Sequence, residues 1–197
     1  MTESTMKNED NLTTKQLLLD ISMQLFNQYG FDNVPVDRIC DAAGVTKGSF
    51  YHHFDSKYDI PVQQYRAVQE AFYTDYEESY YLDIAERFRR AVMWYAHYCT
   101  PDKLNVFAMY YKVIMNSPKS KVLRKIEIES KVYREILAVG SSRGFFRRDL
   151  NVDFYADIIT RFVFSLLIDW TVFKGGIDLE QELAAFHENI IIAMKSH

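Results

Sequence analysis

The stretch GFDNVPVDRICDAAGVTKGSFYHHFDSK, residues 30–57, decides how this chain is read. Ile39, Ala42 and Ala43 recur at helical spacing and give a short helix one apolar face. Gly44 follows where a tight helix-to-helix turn needs a left-handed or closely packed backbone, and Val45 plugs the junction. Thr46 then stands at an N-cap position, its hydroxyl placed to accept from the free amides of a second helix. That helix carries Lys47, Ser49, Tyr51, His52 and His53, with Phe50 and Phe54 four apart on its inner side. Two short helices around a glycine turn, the second dense in groups that contact phosphates and base edges, make the layout of a helix-turn-helix.

Phe31 to Lys57 resembles the DNA-binding domain of the TetR/AcrR family of bacterial repressors. The family consensus runs roughly Ile-Ala-x-x-Ala-Gly-Val-(Ser/Thr)-Lys-Gly-x-(Leu/Phe)-Tyr-x-His-Phe-x-(Ser/Asn)-Lys, and Ile39 to Lys57 fill nearly every position. A turn glycine, a capping hydroxyl, an inner apolar pair and a Tyr-x-His-Phe ending in one register are more specific than a bare helix-turn-helix pattern. The motif occupies the first quarter or so of the chain; the rest shares with the family its length and helical character. The resemblance implies an all-α protein of about nine helices. Residues 1–57 would hold an N-terminal tail and the helix-turn-helix head, and residues 58–197 a helical effector-binding and dimerisation body. It further implies a homodimer through the last two helices, a double-stranded operator and a small-molecule effector as partners, and a transcriptional repressor rather than an enzyme. An activator, or a dimerising helical protein without an operator, stays open as an alternative.

Carried onto this chain, the resemblance assigns DNA contact to Val36, Arg38, Thr46, Lys47, Gly48, Ser49, Tyr51, His52, His53 and Lys57. Lys47, Lys57 and the Tyr51 hydroxyl suit phosphates. His52 suits base edges together with Ser49 and Gly48, since glycine permits close backbone approach, and Val36 suits either a thymine methyl or packing. Two positions depart from the family. Pro35 stands where a Thr is common, presetting φ for helix entry but offering no hydroxyl. Asp37 stands where some members carry a base, which moves the expected phosphate contact to Arg38.

Charge sharpens the expectation. The chain of 197 residues has net charge −4. Residues 1–60 hold five basic residues against nine acids, whereas the remainder is balanced. All the excess negative charge therefore sits in the part expected to meet DNA, so sequence-independent affinity should be weak and binding should rest on a few placed groups and on dimerisation. That counts against a general nucleoid or architectural protein. Only 7 Gly and 4 Pro, beside 48% hydrophobic and 25% charged residues, suit an all-helical globular chain. No apolar run approaches the roughly 20 residues of a membrane span, and Met1 to Asn11 lacks the apolar centre of a signal peptide, so a cytoplasmic protein without membrane contact is expected. Cys40 and Cys99 lack metal-ligand spacing and read as reduced core thiols.

Along the chain, Thr13 or Thr14 is expected to cap a first helix through Leu17, Leu18, Ile21, Leu25 and Phe26, ending at Tyr29-Gly30. Ser56 with Asp59 predicts a capping box for a long helix through Tyr65, Val68, Phe72 and Tyr76. Thr100-Pro101 and Ser117-Pro118 separate segments near 82–98, 101–115 and 118–140, and Gly140 and Arg143-Gly144 mark a further break. Asn151 and Asp178 open the last helices, about 152–173 and 179–195. The first of these is apolar on more than one face, which predicts a partner subunit, with Phe164 and Leu167 placed at the interface or in the core.

The 14 Tyr, 14 Phe, 2 Trp and 7 Met suggest an aromatic effector cavity rather than plain core. The expected lining is Trp94, His97, Tyr98, Phe107, Tyr110, Tyr111, Met115, Arg161 and Phe164, with Asp157 pairing Arg161 one helical turn away. Its occupant would be a small apolar or aromatic molecule. No catalytic constellation, metal-ligand spacing or phosphate-cradling loop is found, and His52 and His53, adjacent on a helix, are expected on different faces. No cofactor, metal or catalytic residue is expected.

Overall fold

The computed structural model describes residues 3–116 and 127–195. Among them lie nine α-helices and no strand: α1 Glu3–Tyr29, α2 Val36–Ala43, α3 Lys47–His53, α4 Asp59–Glu78, α5 Ile84–Tyr98, α6 Leu104–Asn116, α7 Glu127–Ser142, α8 Val152–Val172 and α9 Leu179–Met194. Short 3₁₀ turns, Ser79–Tyr81 and Pro101–Lys103, flank α5. The Ser117-Pro118 break and the start of the segment expected at 118 lie outside the described residues. No described helix is long and apolar enough to cross a membrane.

The chain divides into two units, Met1–Tyr65 and Arg66–His197. The division falls within α4, beyond the boundary expected after residue 57; at the start of this helix Ile60 is fully buried, Val62 and Tyr65 nearly so.

In the first unit α1 packs on α2, and α2 on α3. Its core joins Leu18, Phe26, Phe31, Val34, Ile39, Phe50 and Phe54, all buried. Phe26 and Phe31 meet edge to face at 4.8 Å. Thr13 and Thr14 do not start α1, which already begins at Glu3: residues 3–13 contain neither Pro nor Gly, so nothing stops the helix from extending through a usable cap. Gly44 ends α2 with φ 66° and ψ 30°, and the Val45 amide donates to the Cys40 carbonyl at 3.0 Å, closing the turn.

In the second unit α8 lies along α7 and α6, while α5 packs on α7 and α9. Side-chain caps start three of the helices. Asp83, Asn151 and Asp178 accept from the amides of Glu86, Phe154 and Gln181 at 2.9, 3.1 and 3.0 Å. Phe72, Tyr95, Phe107, Tyr133 and Trp170 form an aromatic core, with Phe72 against Tyr95 at 5.8 Å and Phe107 edge-on to Trp170 at 5.8 Å. Inside it the buried Glu129 carboxylate accepts from Gln69 Nε2 and from the Tyr95 hydroxyl, both at 2.9 Å, tying α7 to α4 and α5.

Gly140 is not a break. It lies within α7, where a Cβ would overlap the Phe146 ring, so this glycine serves close packing, and the turn falls at Gly144 with φ 76°. Of the two places expected for Phe164 and Leu167 on α8, interface or core, the core is the one observed within the protomer. Leu167 is 1% exposed and belongs to the core, and Phe164 meets Tyr111 of α6 edge-on at 5.0 Å. The apolar groups left to solvent are Phe154, Val172 and Phe173 on and just after α8, and Ile192 on α9, each more than half exposed. Between them the half-buried rings of Phe162 and Phe186 stack at 3.9 Å, 7° from parallel.

Candidate nucleic-acid interface and effector cleft

The orientation of α3 follows from its two ends. Thr46 Oγ1 accepts from the Ser49 amide at 3.1 Å, fixing the first turn. Phe50 and Phe54, 0% and 2% exposed with rings 5.4 Å apart, bury the opposite side. Lys47, Gly48, Tyr51 and His52 are therefore exposed, Ser49 and His53 half-buried. A methyl on Gly48 would meet nothing closer than Thr46 Oγ1 at 3.6 Å, and its φ is not positive. The fold thus has no need of glycine at this position. Val36, the first residue of α2, is half-buried.

The cations behave differently from the side chains around them. Lys47 Nζ lies 2.6 Å from Asp37 Oδ1, and this hydrogen-bonded pairing raises the pKa of the ammonium. Lys57 is turned away from solvent. Its Nζ, expected at a phosphate, donates to the carbonyls of Phe31, Asp32 and Val34 at 2.9, 3.3 and 3.1 Å, which occupies all three of its protons within the head. The Arg38 guanidinium stacks on the Tyr29 ring at 3.5 Å. The three cations expected at phosphates are thus all engaged within the head.

His52 and His53, expected on different faces, bring their rings to 5.0 Å edge to face. Burial, and then His52 and Lys15, hold the His53 imidazole below its ordinary value of 6.5. No group of His, Cys, Asp and Glu able to hold a metal ion occurs among the described residues. Both thiols are free, and burial pushes Cys99 up to about 12.

In the body, a cleft of about 420 Å³ opens beside α5, lined by Asp75, Glu86, Arg89, Arg90, Met93, Trp94, His97 and Tyr98. Trp94 and Tyr98 stack at 4.3 Å, 18° from parallel, and His97 Nδ1 lies 3.1 Å from the Met93 carbonyl. Arg90 holds Asp75 through two hydrogen bonds, 2.6 and 2.9 Å.

Of the nine residues expected around a cavity, Trp94, His97 and Tyr98 come together here. The others do not. Phe107, Tyr110 and Tyr111 are 0%, 1% and 3% exposed and fill the core, Phe164 packs on Tyr111, and Met115 is 63% exposed. Arg161 is exposed, and its expected partner Asp157 instead accepts from Arg134 at 3.0 Å, alongside Asp153 at 2.8 Å. The cleft residues missed at the sequence level were accessible in part: Glu86, Arg89, Arg90 and Met93 precede His97 at helical steps on one face. Asp75 comes from α4, and only the tertiary fold brings it there.

Comparison with known proteins finds relatives of the same fold. Residues 18–61 match the profile of the family described as bacterial regulatory proteins, tetR family. The chain is 22% identical over 190 residues to the probable acrEF/envCD operon repressor of Escherichia coli K12, covering 91% of this chain and 86% of that protein. Among solved structures, the fatty acid degradation regulator FadR of Bacillus halodurans superposes with a TM-score of 0.71 at 16% identity, over 90% of this chain and 94% of that one. FadR of Thermus thermophilus, a repressor solved with lauroyl-CoA, gives 0.68 at 19% identity, over 90% and 93%.

Proposed function

We propose that this chain, which belongs to the TetR/AcrR family of bacterial transcriptional regulators and is a DNA-binding protein rather than an enzyme, represses transcription from a near-palindromic operator and is released by a small apolar or aromatic effector. The observation that carries the DNA reading is the exposed edge of α3. There Gly48, for which the fold has no steric need, stands among Thr46, Ser49, Tyr51 and His52 and leaves room for a groove wall to approach. Tyr51 and the Thr46 and Ser49 hydroxyls suit phosphates and sugars, and His52 suits a base edge.

A second copy of the chain fits the apolar strip of α8 and α9. Phe154, Val172, Phe173 and Ile192 are exposed in one protomer, and a partner would cover them. The dimer would present its two α3 helices about 34–36 Å apart, or a multiple of that. Effector entry beside Met93, Trp94, His97 and Tyr98 would act on α4 through Asp75, and α4 is one continuous helix from Asp59 to Glu78. An effector that binds better to a wider spacing of the α3 pair lowers operator affinity by that differential alone. The solved complex of the Thermus relative with lauroyl-CoA supports a small-molecule effector without identifying this one.

The test is selection of genomic fragments by the purified protein, followed by release of the bound fragment with a panel of metabolites. A recovered motif with dyad symmetry is the expected outcome. Recovery of unrelated fragments, with affinity set by salt alone, would sink the regulator reading.

A further inference from the structure

We propose that Asp37 governs how strongly the head holds DNA of any sequence, by acting as an internal stand-in for phosphate that keeps the Lys47 ammonium occupied. The inference rests on the DNA-binding reading of α3.

Its basis is geometric. Asp37 sits in the first turn of α2 and Lys47 is the first residue of α3. The left-handed Gly44 and the Val45 to Cys40 hydrogen bond fix the turn between the two helices, and so bring the backbones of Asp37 and Lys47 within reach of each other's side chains. The charges meet at 2.6 Å although both side chains are about 60% exposed, so burial plays no part in holding them together. The pair lies at the exposed entry of the recognition helix. An incoming phosphate oxygen must therefore either displace the Asp37 carboxylate from Lys47 or approach with that carboxylate alongside and repelling it. As long as Asp37 holds Lys47 the pair is neutral as a whole and neutralises no phosphate, so Lys47 adds no counterion release to binding. Lys57 donates to three neutral carbonyls and Arg38 stacks on a neutral ring, so of these three cations only Lys47 is paired with an anion, and that anion is Asp37.

The probe is a labelled mixed-sequence duplex, titrated over a series of salt concentrations with the full chain carrying Asp37→Asn, Lys47→Ala, both, or Asp37→Glu. Freed from Asp37, Lys47 in Asp37→Asn should add about 0.9 to the slope of log affinity against log salt, with affinity on the order of tenfold higher at low salt. Lys47→Ala should leave the wild-type slope unchanged. The double variant should return to the wild-type slope, and Asp37→Glu, which keeps the charge, should never leave it. Thermal melts of the same samples confirm equal folding, so that a slope change reports charge and not structure.

Two results would overturn the proposal: a slope in Asp37→Asn equal to wild type, or a fall of about 0.9 in Lys47→Ala, which would mean that Lys47 already rests on a phosphate in the native complex. A wild-type chain that binds neither this duplex nor any selected genomic fragment would instead remove the DNA-binding reading, and the proposal with it.

Discussion

Gly44 and Gly48 stand four residues apart and answer to different demands. Gly44 holds a left-handed φ that costs other residues about 1–2 kcal/mol, although the space around it is open. Gly48 is helical and unstrained, so Gly48→Ala should raise stability by up to about 1 kcal/mol through helix propensity. The same methyl should obstruct the groove wall and cut operator affinity tenfold or more, on the order of a lost direct contact. Chemical denaturation and a binding titration on one preparation check both halves; unchanged binding would mean that α3 does not approach DNA along this edge. The imidazoles give a second residue-level expectation. Burial is the main cause holding His53 and His187 below 6.5, so each is more easily protonated in the unfolded chain than in the folded one. Their contribution is fully present above 6.5 and is lost as pH falls through that value toward the lower folded pKa. The thermal midpoint should therefore drop between about pH 7 and about pH 5.5, and less steeply in His53→Gln.

At the scale of elements, Lys57 shows how a loop can claim a side chain. Phe31, Asp32 and Val34 turn their carbonyls toward one ammonium, so Lys57→Met, which keeps most of the stem but no donor, should cost the first unit on the order of 2 kcal/mol in unsatisfied acceptors. Per folded molecule, DNA affinity should hardly change. A phosphate role would give the reverse, full stability with weak binding, and denaturation followed by titration separates the two. The strip on α8 and α9 gives a cleaner assembly test than Phe164 or Leu167. Ile192 is 65% exposed in the protomer, so Ile192→Asp leaves its folding intact while burying an unpaired charge in any dimer across that face. Sedimentation should find a folded monomer, and a persistent dimer would place the interface elsewhere.

These cases also mark what was readable beforehand. Thr46, Asn151 and Asp178 cap helices within three residues of themselves, so local chemistry announces them. The buried pair Phe50 and Phe54 was visible in the same way, as a spacing. Lys57 reaches back across more than twenty residues, and Phe146 fills the space beside Gly140, a residue whose type alone suggested a break. Asp37 was visible as an acid out of place, but its pairing with Lys47 depends on the angle between two helices. The aromatic residues of α6 could be counted but not sorted, because core and cavity linings draw on the same residue types.

Over the whole molecule, the cleft beside α5 is the place where the proposed effector would bind. His97 is exposed at the cleft, so His97→Trp should fill the opening without disturbing the core. Operator affinity should stay at the wild-type value while release by whichever metabolite the panel identifies weakens at least tenfold, the size expected of a ligand denied its pocket. A wild-type response in a fluorescence release assay would show that the effector enters elsewhere. The internally occupied cations of the head bear on a different property, tolerance of osmotic stress. When a cell takes up salt to balance its surroundings, each ammonium that had traded counterions for phosphate loses its advantage, about threefold in affinity per contact for a fourfold rise in salt. A head that keeps Lys47 on Asp37 has one such contact fewer to lose. To that extent its hold on the operator would follow the effector rather than the ionic weather inside the cell.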